Sequence, residues 1–180
     1  MTDDTDSDTD EWRLEGGQYG YMGEPATAEF KELYRFITMN LERDCTVDKG
    51  PEGVSYLLEE TGNRLVQYFV IGSSIIEYFS SEILYMKLVG EDRQSKSTYS
   101  FFRENLQQWE REELLFCCGI VDSGLKGDLN RARDARNELV HSLHEHRYVS
   151  EDGTLLEDVE KTKSAVDGLS ETHIRTVRSG

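Results

Sequence analysis

The chain reads as an all-α protein: a helical bundle of about five helices behind a disordered acidic N-terminal tail. Three observations predict it. Apolar residues recur at three-to-four spacing over most of the span from Phe30 to Leu143, the period of helices that bury one stripe. Strand signals are nearly absent, and Arg147-Tyr148-Val149 is too short to matter. Breaks rich in glycine, proline and aspartate separate the periodic segments. A length of 180 residues suits one compact domain with tails.

Residues 1–24 carry eight carboxylates, one arginine and four glycines without apolar periodicity, the composition of a disordered segment. Pro25 opens a helix through Phe30, Leu33, Tyr34, Ile37 and Leu41 that ends about Asp44. Asp48 to Gly53 is a break. The longest apolar stretch runs from Val54 to Val89, with Leu65, Phe69, Gly72, Ile76, Phe79, Ile83 and Met86 in one stripe. Val66, Val70 and Ile75 widen that stripe, so this helix is central and covered on more than one side. Gly72 permits a close helix crossing there, and Gly62-Asn63 is a candidate kink.

A polar connection follows from Gly90 to Thr98. Phe101 to Val121 reads as one broken or two short helices, Asp122-Ser123-Gly124 as a turn, and Lys126 to Leu143 as a further helix. Thr154-Leu155-Leu156-Glu157 has capping-box form for a last helix that ends near Gly168. The boundaries are therefore 1–24 for the acidic tail, 25–170 for the helical domain and 171–180 for a disordered C-terminal tail.

Composition narrows the function. No run approaches the ~18 apolar residues of a membrane span, and the N-terminus lacks the basic and apolar regions of a secretory signal. Three cysteines, Cys45, Cys117 and Cys118, make no disulfide framework and no zinc pair; they read as small buried thiols in a reducing, cytoplasmic setting. Neither a phosphate-binding glycine loop nor a serine-hydrolase elbow is present. The formal charge of −16 comprises −7 in residues 1–24 and −9 in the remainder, with seven lysines against thirteen arginines. Such a surface suits a cytosol at molar salt, where screening shortens to ~3 Å, and points to a halophile.

The segment from Asn130 to His141 carries the chemistry. At ~100° per residue, Leu129, Ala132, Leu139, Val140 and Leu143 share one face, and Arg136 falls near its middle. A guanidinium keeps its charge, so burial there demands an anion or several acceptors. Asn137 and His141 are neighbours one turn apart at the edge of that face. Two readings are open at this point. Arg136 is a partly buried ion-pair partner, for instance of Glu77 or Glu82, and His141 a solvated edge residue; or Arg136, Asn137 and His141 form a working cluster. His141 and His144 stand three apart, but without a cysteine or clear carboxylate ligand they make no metal site.

The string Arg136-Asn137-Glu138-Leu139-Val140-His141, late in an all-α domain and after a long apolar helix, resembles the signature of the HEPN superfamily: an Arg, a polar residue, then a His closing a four-to-six residue spacer. The similarity covers roughly Phe30 to His144. The resemblance implies a metal-independent endoribonuclease, cofactor-free and homodimeric, with RNA as substrate, the two motif helices meeting across a two-fold axis. It further implies a toxin or defence effector with an antitoxin partner. Its chemistry needs His141 to move protons, Arg136 to hold the scissile phosphate, and Asn137 to orient one of them. Some relatives carry a modifiable Tyr two residues beyond the His; here that position is Leu143. Other members have lost catalysis, and the alternative is a non-catalytic dimerisation or nucleotide-sensing module. Such a module lets Arg136 or His141 be sealed, whereas a nuclease needs both open to solvent in one cleft.

Overall fold

Long apolar periodicity becomes a helix bundle with one central member. The computed structural model describes residues 26–41, 46–49, 55–57, 59–142 and 154–179, with side chains for 26–41, 60–139 and 155–178. Helix α1 covers residues 26–41. Two short strands, β1 (Thr46–Lys49) and β2 (Ser55–Leu57), pair antiparallel with Thr46 opposite Leu57. Helix α2 (Glu59–Leu88) follows, then a 3-10 turn at Glu91–Arg93. A short α3 (Lys96–Ser100) runs into a π-helical turn, Phe101–Asn105. Helices α4 (Gln108–Cys117), α5 (Ser123–Ser142) and α6 (Thr154–Ser179) complete the order. No helix among the described residues is long and apolar enough to cross a membrane.

The ribbon departs from the sequence reading, which has no strand there. Its residues are extended because each strand finds a hydrogen-bonding partner in the other, a non-local condition that local pattern does not carry. The rest of the described architecture is helical, as the periodicity requires.

Helix α2 is central because α1, α4, α5 and α6 all pack against it. Phe30 of α1 stacks on Tyr68 of α2 with centroids 4.5 Å apart, and the Tyr68 hydroxyl donates to the Val159 carbonyl of α6 at 2.7 Å. That bond satisfies the only polar atom on a fully buried ring; burial also raises the Tyr68 pKa. Gly72 lies where both neighbours come closest. A Cβ there would stand 2.9 Å from Phe30 Cε2 and 3.0 Å from Thr162 Cγ2, so the close crossing depends on the missing side chain. Gly62 meets nothing within 4 Å, and α2 passes through it unbroken.

Two boundaries are corrected. Asp122 caps α5, its Oδ1 accepting from Leu125 N at 2.8 Å and its carbonyl from Lys126 N at 3.0 Å, so Ser123 and Gly124 belong to the helix. At the other end, residues 171–179, assigned from sequence to a disordered tail, are helical in α6. Gly168 is a packing site and not a terminus: a Cβ there would lie 2.7 Å from Leu125 Cδ1. Beyond it, Thr172 and Thr176 are buried. Thr172 donates to the Gly168 carbonyl at 2.8 Å, so its hydroxyl is satisfied within the helix while its methyl extends the buried stripe. Cys117 and Cys118 are exposed rather than buried, because α4 turns Arg111, Glu112 and Leu115 inward. The acidic tail of residues 1–24 and Cys45 lie outside the described residues.

Candidate functional site

Helix α5 carries three arginines within six residues, and the surrounding helices treat them differently. Arg131 Nε donates to Oδ1 of Asp158 on α6. Arg133 Nη1 donates to Oε2 of Glu112 on α4, and its Nη2 reaches Asn130 Oδ1 at 3.2 Å. Both carboxylates are buried, Glu112 at 1% exposure and Asp158 at 3%. Burial pushes the Glu112 carboxyl above its usual range, opposed by Arg133 and by Gln108, whose amide donates to Oε1 at 2.9 Å. Asp158 is raised by the same cause and held back by Arg131.

Arg136 is exposed. Among the described residues it makes no salt bridge; its Nη1 donates to Asn137 Oδ1 at 3.1 Å, and Asn137 is exposed too. This corrects the expectation of a partly buried Arg136. Among the described residues of α5, Leu129, Ala132, Ala135 and Leu139 are buried. At ~100° per residue Arg136 still points between Ala132 and Leu129, so it is exposed for want of cover at its own level and not because it faces another way.

Helix α4 engages α5 through charged side chains. Glu112 meets Arg133, while Glu113 Oε2 accepts from Lys126 Nζ at 2.6 Å, and Lys126 lies 4.3 Å above the Phe116 ring. Higher numbers on one helix thus pair with lower on the other, so α4 and α5 run antiparallel. Helix α4 begins at Gln108. Leu129 is fully buried, whereas Arg136 is exposed.

Neither carboxylate nominated as an Arg136 partner is near it in function. Glu77 Oε1 is 3.8 Å from Arg111 Nη2, and Glu82 is raised by burial against the opposing pull of Tyr99 and Arg103. Arg111, only 3% exposed, instead fastens the start of α4. Its Nη1 donates to the carbonyls of Phe102 and Arg103 at 3.2 Å and Leu106 at 2.6 Å. These include carbonyls the π-helical turn leaves unpaired, and a guanidinium can meet several acceptors at once.

His141 is a residue of α5, four after Asn137 and so about 6 Å further along the axis. Its side chain, with Leu143, His144 and His146, lies outside the described residues. The structure therefore places Arg136 and Asn137 together at an open margin and His141 on the next turn of the same helix.

One residue escaped the sequence reading. Trp109 is 53% exposed, and its indole N–H donates to Gln107 Oε1 at 2.8 Å. The available signal was a lone large aromatic in the polar run Gln107-Gln108-Trp109-Glu110-Arg111. Among the described residues no group of three or more His, Cys, Asp or Glu stands ready to hold a metal ion. Compared with known proteins, the chain matches no family model, no curated protein and no solved structure.

Proposed function

We propose that the chain is a metal-independent endoribonuclease of HEPN type, acting as a homodimer on RNA. The observation that carries the reading is the exposed Arg136 guanidinium, held by Asn137 while its neighbours Arg131 and Arg133 are engaged by buried carboxylates. A permanently charged donor left open at a helix margin, one turn before a histidine, suits a phosphodiester. The exposed Arg136 agrees with an enzyme, which needs Arg136 and His141 both open in one cleft; a non-catalytic module needs neither.

RNA supplies its own nucleophile. His141 takes the 2′-hydroxyl proton as the 2′-oxygen attacks phosphorus, Arg136 neutralises the charge gathering on the phosphoryl oxygens, and the bond to the 5′-oxygen breaks. The departing 5′-oxygen takes a proton from a second imidazole, which the symmetry mate provides. The products are a 2′,3′-cyclic phosphate and a 5′-hydroxyl. Between Lys126 and Arg147 the chain carries five basic and four acidic residues, so this region is far less acidic than the whole.

The test is RNA cleavage in molar KCl with a chelator present. His141→Ala is expected to lower the rate about 10²–10⁴-fold, the range of positioned acid–base catalysis, while the helical circular dichroism stays unchanged. Equal cleavage by the two proteins removes the assignment.

A further inference from the structure

Helix α1 lies along the groove between α2 and α6 and fills only part of it. Phe36 sits 5.6 Å from the Arg64 guanidinium, while Phe30 stacks on Tyr68 and closes on Gly72. Lower numbers on α1 thus meet higher numbers on α2, so these two helices are antiparallel. On the other wall, Lys163 of α6 lies 5.3 Å from the centre of the Tyr34 ring. Helices α2 and α6 are parallel, since Tyr68 meets Val159, Gly72 approaches Thr162 and Phe79 meets His173.

Ala26 stands one turn before Phe30, about 6 Å further toward the end of α2 and level with about Ile76. The next rung of the groove is Tyr78 against His173, with ring centroids 6.4 Å apart. Both walls continue past it, to Leu88 and Ser179. At ~100° per residue, Lys163, Asp167, Ser170, Ile174 and Val177 share one stripe of α6. Lys163 meets α1 from this stripe. Its last members, Ile174 and Val177, are 45% and 56% exposed. Single exposed apolar residues need no account. These two continue a stripe that is covered elsewhere, and they do so where the covering helix begins.

Arg175 and Arg178 flank the pair. Arg175 donates to the Glu171 carbonyl at 3.4 Å and to the Thr172 hydroxyl at 3.2 Å. Among the described residues neither arginine meets a carboxylate. Asp167 is paired with Lys163, and Glu171 stands one turn before Arg175.

We propose that the chain's own N-terminal segment completes this groove, with Tyr21 and Met22 on Ile174 and Val177 and its carboxylates toward Arg175 and Arg178. Nothing in this contact depends on the nuclease reading. The chain enters α1 at the point where cover is missing. By helical rise, Ile174 and Val177 lie about 5–10 Å beyond Ala26 along the bundle. Met22 is four residues before Ala26, a reach of about 13 Å in extended chain. Pro25 favours extended backbone in the residue before it, which carries the chain onward along the groove. Met22 and Tyr21 are the first large side chains met on that path apart from Glu24 and Pro25. Charge selects the same occupant: residues 1–24 hold eight carboxylates against one arginine. A second copy seated across a two-fold axis would instead set these arginines against their own kind. In molar salt the charges are screened, and the apolar contact remains.

The experiment is disulfide capture in the full chain, with Cys45, Cys117 and Cys118 replaced by serine. Met22→Cys is combined with Val177→Cys or, as a control, with Glu160→Cys, which is exposed on the same helix. Under mild oxidation the Val177→Cys protein is expected to close one bond within the chain about tenfold faster than the control, because a seated segment raises the effective concentration of its thiol. Equal rates overturn the docking. Disulfide-linked dimers as the main product also overturn it, and assign the face to a second copy.

Melting supplies a readout that traps nothing. Met22→Ser should lower the melting temperature by about 2–4 °C in the otherwise native chain and leave that of a Val177→Ser chain unchanged. An equal loss in both backgrounds, or no loss in either, overturns the contact.

Discussion

The middle of α5 and the turn that follows it use the same residue type in opposite ways. In its middle, Arg131 and Arg133 lie against buried carboxylates of α6 and α4. Three residues on, Arg136 is exposed beside Asn137. They differ in whether a carboxylate of a neighbouring helix meets them. Helix α4 supplies Glu112 to Arg133, and among the described residues no carboxylate pairs with Arg136.

Substitutions in the two regions should therefore trade effects. Arg136→Ala is expected to cut RNA cleavage about 10²–10³-fold, comparable to removing one donor to a developing oxyanion. Its unfolding free energy should move by less than ~0.5 kcal/mol, as for other surface changes. Denaturant titration beside the cleavage assay checks both halves; a large stability loss would mean that Arg136 belongs with Arg133.

Glu112→Ala should show the converse. Removing a carboxylate at 1% exposure strands Arg133 and the Gln108 amide, with a loss of about 3 kcal/mol. Asp134→Ala is the control: Asp134 also touches Arg133, 3.7 Å from Nε, but is 69% exposed, and surface pairs contribute under ~1 kcal/mol. Equal melting shifts for the two variants erase the distinction between buried and surface partners.

The crossing that fixes the bundle gives a smaller effect. Gly72→Ala places a methyl 2.9 Å from Phe30, and overpacking of this kind costs about 1–3 kcal/mol. Gly62→Ala, in open space on the same helix, should stabilise slightly, because alanine is the better helix former. Thermal denaturation of the pair reads this contrast directly.

The smallest expected effect is a pH dependence at α6. His173 packs 5.0 Å from the Phe79 ring and 6.4 Å from Tyr78, and burial lowers its pKa below 6.5. The unfolded chain therefore takes up this proton first as pH falls. The stabilisation is fully present above pH 6.5 and is lost as pH drops toward the lowered folded value. Glu82, Glu112 and Asp158, raised by burial, act in the opposite sense, so the readout is a difference: His173→Gln should lose less melting temperature than wild type between pH 7 and pH 5. An identical loss means that His173 titrates alike in both states.

Much of the bundle was legible beforehand because it follows from period and composition. Phe30, Leu33 and Ile37 of α1 are buried as their spacing requires, and so are Leu65, Phe69, Ile76 and Ile83 of α2. Gly72 was legible as a close crossing because a missing Cβ inside an apolar stripe has few other uses. The string Arg136-Asn137 and the histidine one turn later were legible as candidates, since their order is a property of the chain alone.

What the fold decided was cover. Period gives the direction of a side chain around its helix, to within about 50° for one 3.6-residue turn, but not the length of the helix lying opposite. Arg136 is exposed although its direction falls among buried residues, and Thr172 is buried because α6 still packs against α2 there. Each depends on residues far away in sequence, and contact between distant segments is what amphipathic pattern leaves unspecified.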